Sequence, residues 1–265
     1  MNNPCISVII PTHSRSTYLK RALDSINLQQ HRDRIEVILI SDQIDMATDS
    51  VAHDGLRPSD IYIRRNGDRG PAYSRNIGLD LACGDFIMFL DDDDAWDRDF
   101  TKNLFVHNLI QSNEIRYMDC LIIKETRTNL GPIKLSETVL ITNNLLNLNV
   151  YVKNQVHMSC FIFNRNILKN LYFDDKLRAY EDWDFLLSVI DRKMPLHLPV
   201  LCSHVYEVDD HTTDRRGSSS QATDFNAVLD YLKIYRDHVV NSDEIKVSRQ
   251  ALLKSVGLEI DKNLL

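Results

Sequence analysis

The sequence predicts an α/β fold: a mostly parallel central sheet flanked by helices, with a helical segment at the C-terminal end. Three observations predict it. Short apolar runs rich in β-branched residues alternate with segments of helical period through the first half of the chain. The runs are mostly apolar, and strand–helix repetition of this kind argues for a mostly parallel sheet covered on both faces. Four aspartates, Asp91-Asp92-Asp93-Asp94, follow directly on the apolar Phe86–Leu90. That puts a dense acid cluster at the carboxyl end of a strand, where open α/β sheets bind ligands.

Taken in order, Cys5–Ile10 reads as a buried first strand that stops at Pro11. A helix follows from about Ser16, a candidate N-cap, with Leu19, Ala22, Leu23 and Ile26 on one face. Ile35–Ile40 is a second strand ending at Ser41-Asp42, and Ile61–Ile63 a third. Gly70-Pro71 opens a helix, since proline suits a first turn; Ile77 and Leu81 are expected to face inward and Gly84 to follow its end. Phe86–Leu90 is the fourth strand. Beyond it, Arg116–Glu125, His157–Phe163 and His204–Val208 read as strands and Glu181–Asp191 as a short helix that packs Trp183, Leu186, Leu187 and Ile190. Asp209–Gln221 reads as a loop, and Phe225, Val228, Leu229, Leu232 and Tyr235 form a helical stripe after it.

The 265 residues suit one large domain, or one with a helical appendage. Apolar residues make up 43% and charged residues 26%, as in a globular protein. The net charge of −7, with Lys and Arg scattered, argues against a nucleic-acid partner. The five cysteines are far apart, form no CxxC pair, and read as reduced core residues of a cytoplasmic protein. No apolar stretch reaches the roughly 18 residues of a membrane span and no signal peptide precedes the first strand, so any membrane contact is expected to be peripheral.

Four adjacent carboxylates repel one another, and hard oxygen ligands at a strand end suit Mg²⁺ or Mn²⁺, which in turn hold phosphate oxygens. A solvated acidic loop is the other reading. Asp91 and Asp93 have the spacing to reach one cation; Asp92 and Asp94 fit supporting or helix-capping positions. Asp42, at the end of the second strand, can accept from a pyrimidine N–H, or can be a turn aspartate. Thr12 and Arg15 are candidates for base and diphosphate contacts, or for a polar turn. Arg75 can bind phosphate in a bidentate manner or pair internally with Asp42 or Asp91. Glu181 and Asp182 read either as an acidic helix N-terminus favoured by the macrodipole or as a general-base pair.

Five segments in order resemble the family 2 glycosyltransferases of GT-A fold: Ser7-Val-Ile-Ile-Pro11-Thr12, Glu36-Val-Ile-Leu-Ile-Ser41-Asp42, Gly70-Pro-Ala-Tyr-Ser-Arg75-Asn76-Ile-Gly78, Phe89-Leu-Asp91-Asp92-Asp93-Asp94, and Glu181-Asp182-Trp183-Asp184. The resemblance covers about residues 5–215. It implies a nucleotide-sugar-binding half at 1–95, an acceptor-binding and catalytic half at 96–222, and a C-terminal helical segment at 223–265. It further implies a UDP-sugar donor held by Pro11, Thr12, Arg15, Asp42, Arg75, Asp91 and Asp92, and Mn²⁺ or Mg²⁺ on Asp93, with Asp91 at the ribose or a metal-bound water. His211 is expected to complete the metal site, unless it is a solvated loop histidine, with Arg215 and Arg216 closing over the diphosphate. Asp182 is implied as general base, with Glu181 tuning it, in an inverting transfer to a glycan or lipid-linked acceptor of a bacterial surface polysaccharide, at the cytoplasmic face of the inner membrane. Two segments depart from the family pattern: Ser41-Asp42-Gln43-Ile44 stands where D-D-G-S is usual, and Pro11-Thr-His13-Ser14 where P-x-Y-N is usual. Both lie at the nucleotide pocket.

Two rivals differ in class. A sugar-phosphate nucleotidyltransferase is expected to carry a Gly-rich loop after the first strand, and Thr12–Ser16 has no glycine. A non-catalytic glycan-binding relative is expected to lose one of the two acidic motifs, and both are present.

Overall fold

The computed structural model describes residues 5–67, 70–107, 109–110, 113–128, 130–208 and 225–265. Four strands, β1 (Ile6–Thr12), β2 (Ile35–Ser41), β3 (Ile61–Arg64) and β4 (Phe86–Phe89), form the parallel half of one sheet in the order β3-β2-β1-β4. Three helices, α1 (Ser16–Asn27), α2 (Met46–Gly55) and α3 (Gly70–Leu81), connect them. The sheet continues through β5 (Ala95–Trp96), β6 (Ile115–Thr128), β8 (Phe161–Asn164) and β9 (Leu196–Val208), which follow β4 in the order β8-β6-β9-β5. This second half is mixed: β8 is antiparallel to β4 and β6, β5 is antiparallel to β9, and β6 and β9 are parallel. A further strand, β7 (Gly131–Leu140), forms a hairpin with β6.

β1 runs through Pro11 instead of stopping before it. The Ile9 carbonyl turns toward the β4 side, accepting from Leu90, and the Thr12 carbonyl toward β2, accepting from Asp42. Strand alternation therefore turns position 11 to the β4 side, beyond the last β1–β4 pair, Ile9–Phe89. The missing proline N–H breaks no ladder bond there. Ser16 is the first residue of α1 and not its N-cap; Arg15 holds that position without a side-chain cap bond. In α3 the inward face is Ala72, Ser74, Arg75 and Gly78, while Ile77 is half-buried and Leu81 is exposed. The helix crosses β1 at Gly78, where a Cβ would lie 2.4 Å from Ile9 Cγ2. That close approach turns Arg75, three residues earlier, toward the sheet's carboxyl end.

Other expectations shift in extent. Met158–Cys160 is a 3₁₀ turn and only Phe161–Asn164 is strand. His204–Val208 is the end of a strand of 13 residues. Helices α4 (Phe100–Val106) and α5 (Glu181–Arg192) pack on the mixed half, followed by α6 (Phe225–Asp237) and α7 (Asp243–Ser255). On α6 the buried stripe is Val228, Tyr231, Ile234 and Tyr235; Leu229 is exposed. Cys120, Cys160 and Cys202 are buried free thiols, but Cys5 is half-buried and Cys83 exposed. The core is continuous across both halves. Phe89 of β4 meets Phe163, Phe173 and Phe185 edge-on, and Phe173 stacks on Phe185 at 4.0 Å. No helix among the described residues is long and apolar enough to cross a membrane.

Candidate active site

A cleft of about 570 Å³ opens at the carboxyl ends of β1, β2 and β4. Pro11, Thr12, His13, Arg15, Asp42, Arg75, Asp91, Asp93 and the Glu181-Asp182 pair all line it. The sequence motifs thus converge although they lie far apart in the chain, from Pro11 to Asp182, because parallel strands deliver their carboxyl ends to one edge. His211, Arg215 and Arg216 lie outside the described residues.

The acidic run is a turn closed by the Asp94 N–H on the Asp91 carbonyl at 3.0 Å. Its four carboxylates go four ways. Asp91 is half exposed and accepts from Arg75 Nη2 at 2.7 Å. Asp92 is fully buried, outside the cleft wall, and held by Thr12 Oγ1 at 2.7 Å and Arg15 Nη2 at 2.5 Å. It therefore supports Thr12 and Arg15 from behind and is not placed to touch a nucleotide. Asp93 faces the cleft and pairs with Arg15 Nη1 at 3.1 Å and Arg127 Nη2 at 2.8 Å. Asp94, buried like Asp92, accepts from the Tyr206 N–H at 3.0 Å and from Ser159 Oγ at 3.3 Å. Burial pushes the Asp92 carboxyl up to about 6 against the pull of Arg15, and holds Asp94 well above the usual carboxylate range, with Asp93 and Asp91 adding to the rise.

Arg75 is buried and bridges the two acidic motifs, donating to Asp91 and, through Nη1 at 2.8 Å, to Glu181. Of the partners left open for it, Asp91 is the one taken, together with Glu181; Asp42 belongs to a different set. Its carboxylate meets His13 Nδ1 at 2.5 Å and Arg65 Nη2 at 3.6 Å. Glu181 and Asp182 open α5, and burial raises both above the ordinary range while Arg75 opposes the rise.

Sequence reasoning missed the group behind Asp93. Arg21 donates to the Asp93 carbonyl at 2.5 Å and to Glu125 at 2.8 Å, and Arg127 also reaches Glu125 at 3.1 Å. Both guanidiniums lie over tyrosine rings, Arg21 on Tyr206 and Arg127 on Tyr18. Glu125 and Arg127 follow a register shift in β6 at Lys124/Glu125, the kind of bulge that re-aims side chains beside a site. Among the described residues no three His, Cys, Asp or Glu side chains are grouped to hold a metal. Asp91 and Asp93 nonetheless present two hard oxygen donors to the cleft, which suits Mg²⁺ or Mn²⁺ when substrate phosphates complete the coordination.

The model of glycosyl transferase family 2 matches residues 7–171, more than half of the chain. The chain belongs to glycosyl transferase family 2. Its fold is GT-A, and the five segments that resemble the family fall in and around this cleft. Among curated family relatives, the amylovoran biosynthesis glycosyltransferase AmsB of Erwinia amylovora is 24% identical over 92% of this chain and 81% of its own length. The GalNAc(5)-diNAcBac-PP-undecaprenol beta-1,3-glucosyltransferase of Campylobacter jejuni is 38% identical, over 34% of this chain and only 30% of that protein. Among solved structures, S. aureus TarS 1-349 in complex with UDP-GlcNAc superposes with a TM-score of 0.61 at 18% identity, covering 94% of this chain and 71% of that one. The mannosyltransferase PcManGT of Pyrobaculum calidifontis, in complex with GDP-Man and Mn²⁺, gives 0.62 at 17% identity over 97% of this chain and 74% of that one.

Proposed function

We propose that this family 2 chain transfers a sugar from a nucleotide-diphosphate donor to an acceptor hydroxyl, with inversion at the anomeric carbon. The observation that carries the reading is the Arg75 bridge. One buried guanidinium ties Asp91, in the strand-end acidic turn, to Glu181, beside Asp182. The donor end and the proton-accepting end of a displacement are thereby set at a fixed separation in one cleft.

Thr12, Arg15, His13 and Asp42 lie on the nucleotide side, and Arg15 offers its charge to the diphosphate. Asp91 and Asp93 are the residues that would hold a divalent cation, which supplies positive charge to the diphosphate as it leaves. On the opposite side the acceptor hydroxyl attacks the anomeric carbon, the bond to the diphosphate oxygen breaks, and Asp182 takes the hydroxyl proton. Glu181 is engaged by Arg75, which leaves Asp182 as the base of the pair. Its raised proton affinity suits that task, because a base works best when its pKa lies near the working pH. Uracil is the base we infer for the donor, a UDP-sugar, since Asp42 follows β2 with a carboxylate suited to a pyrimidine N–H. The amylovoran and undecaprenol-linked names of relatives support a polymeric or lipid-linked glycan as acceptor, reached by peripheral contact with a membrane.

Asp182→Asn tests the mechanism. Turnover is expected to fall by about 10²–10⁴-fold, the usual scale for losing a general base, while donor Kd by calorimetry stays unchanged and the wild-type product shows inverted configuration by NMR. A retained anomer, or near-normal turnover of Asp182→Asn, overturns the reading.

A further inference from the structure

Helix α6 touches the chain where the backbone entering α5 is strained. Tyr180, immediately before Glu181-Asp182, has φ 62°, ψ 20°, a left-handed conformation that costs a residue with a Cβ. It sits at the N-cap of α5 and makes no side-chain cap bond. Two backbone N–H groups just upstream, those of Arg178 and Ala179, donate to a single oxygen, Asp230 Oδ2 on α6, at 3.1 and 2.9 Å. The next residue of α6, Tyr231, lays its ring 4.5 Å from that of Tyr180 and 5.5 Å from Trp183. Two residues beyond Asp182, Asp184 bonds His238 Nε2, just after the end of α6, at 3.0 Å. Asp182 is thus bracketed by contacts to α6 before and after it. Asp230, His238 and Tyr231 are all buried, so water does not compete for these bonds.

We propose that Asp230 is a positioning residue for the general base: it fixes the left-handed turn at Tyr180 and so sets where the Asp182 carboxylate stands relative to the acceptor. This inference rests on the transferase reading above. It makes the helical C-terminal segment part of the catalytic apparatus, acting through α5 without touching either substrate. A carboxylate on two successive N–H groups does there what a cap residue does at an ordinary helix start. Without it, the strained residue can relax to a right-handed or extended conformation and carry the start of α5 with it.

The test is a double-mutant cycle with a structural readout. Asp230→Ala is expected to lower kcat by roughly 10²-fold, the scale of about 1 Å of misplacement, with UDP affinity unchanged. Asp230→Asn, whose amide oxygen can still accept from both N–H groups, is expected to recover most of the rate. If Asp230 acts through Asp182, the double variant Asp182→Asn/Asp230→Ala turns over no more slowly than Asp182→Asn alone. Hydrogen exchange provides the readout independent of activity: the Arg178 and Ala179 amides should lose protection in Asp230→Ala while the β1 and β2 amides keep theirs. Additive rate losses, a wild-type kcat in Asp230→Ala, or unchanged protection at those two amides overturns the positioning role. If Asp230→Ala does not fold, Asp230→Asn decides by the same amides, and their loss of protection there refutes the acceptor role of the oxygen. Failure of the general-base reading shows separately, as normal turnover of Asp182→Asn, and failure of the transferase reading as no sugar transfer by the wild type.

Discussion

Asp93 stands between two guanidiniums, and its function turns on which cation it keeps. Arg15 and Arg127 both reach its carboxylate. Asp93→Asn keeps the volume and removes the charge, so Mn²⁺-dependent UDP binding should disappear while the folded state survives. A variant that binds UDP with undiminished Mn²⁺ dependence would contradict the assignment. Arg127→Ala removes a competing positive charge 2.8 Å from the same oxygen, so Mn²⁺ titrated alone should bind tighter than to wild type; weaker binding would show Arg127 to be needed for the site itself. Asp182 makes a pH prediction whose sign is fixed by burial. Its folded-state pKa is raised, so the deprotonated base is lost as pH falls through a value above the ordinary 3.8. The acid limb of kcat should therefore lie at higher pH than a free carboxylate gives, and Asp182→Asn should abolish it. The same shift means that this carboxyl favours folding below its unfolded pKa and loses that contribution as pH rises through the folded one. Asp91, Asp93, Arg75 and Asp182, which all line the cleft, were legible as candidates because each lies inside a contiguous motif on or beside an element. Arg127 was not, since its partner Asp93 lies 34 positions away, and Arg21 finds Glu125 at a separation of 104. Nor did the His13–Asp42 pair show, because no sequence pattern reports two side chains meeting across neighbouring strand ends.

Elements were legible where burial follows a period, and hidden where it does not. β1, β2 and β4 are buried at every position and appear as mainly apolar runs, interrupted inside only by Ser7 and Glu36. β7 is exposed along nearly its whole length, Ile133, Leu135 and Val139 included, so it has no buried face to mark it. α2 buries only Thr48 and Ala52, so it has almost no apolar stripe; its sole sequence signal is Asp45, whose side chain caps the Ala47 and Thr48 N–H groups. Gly78 links an element to the site. α3 can lie against β1 only because position 78 has no Cβ, and the same contact orients Arg75. Gly78→Ala forces Ile9 or the helix to move, an overpacking cost of about 1–3 kcal/mol. Thermal unfolding should shift down by roughly 2–4 °C per kcal/mol, and UDP affinity should fall as Arg75 leaves Asp91 and Glu181. An unchanged Tm would mean that the helix sits farther from the strand than a Cβ-to-Ile9 Cγ2 distance of 2.4 Å implies.

At the scale of the molecule, the last helices join the same core that the parallel strands begin. Val228, Tyr231, Ile234, Tyr235 and Leu253 belong to one apolar cluster with Ile6 and Phe89. Their junction is held by Arg249 of α7, a fully buried guanidinium. It donates to four carbonyls: Tyr151 at 2.9 Å, Tyr235 at 3.2 Å, His238 at 2.8 Å and Leu265 at 3.0 Å. Its plane also lies 4.3 Å from the centre of the Tyr235 ring. Burial lowers its proton affinity, so the carbonyl dipoles and the ring carry the stabilisation of its charge. Replacing the side chain strands four buried acceptors, each costing about 1–3 kcal/mol when left without a partner. Some relax to water or to neighbours, so Arg249→Met should cost at least about 3 kcal/mol. That corresponds to a fall in Tm of about 6–12 °C for a domain near this size. Arg249→Lys should fare little better, because one ammonium on a flexible stem cannot serve four carbonyls arranged around a planar fork. Since α6 carries Asp230 and His238 to α5, the loss should reach the site: kcat of both variants should fall more steeply on warming than UDP affinity does. If Arg249→Met melts within a degree or two of wild type, the C-terminal helices are an appendage and not part of one continuous core.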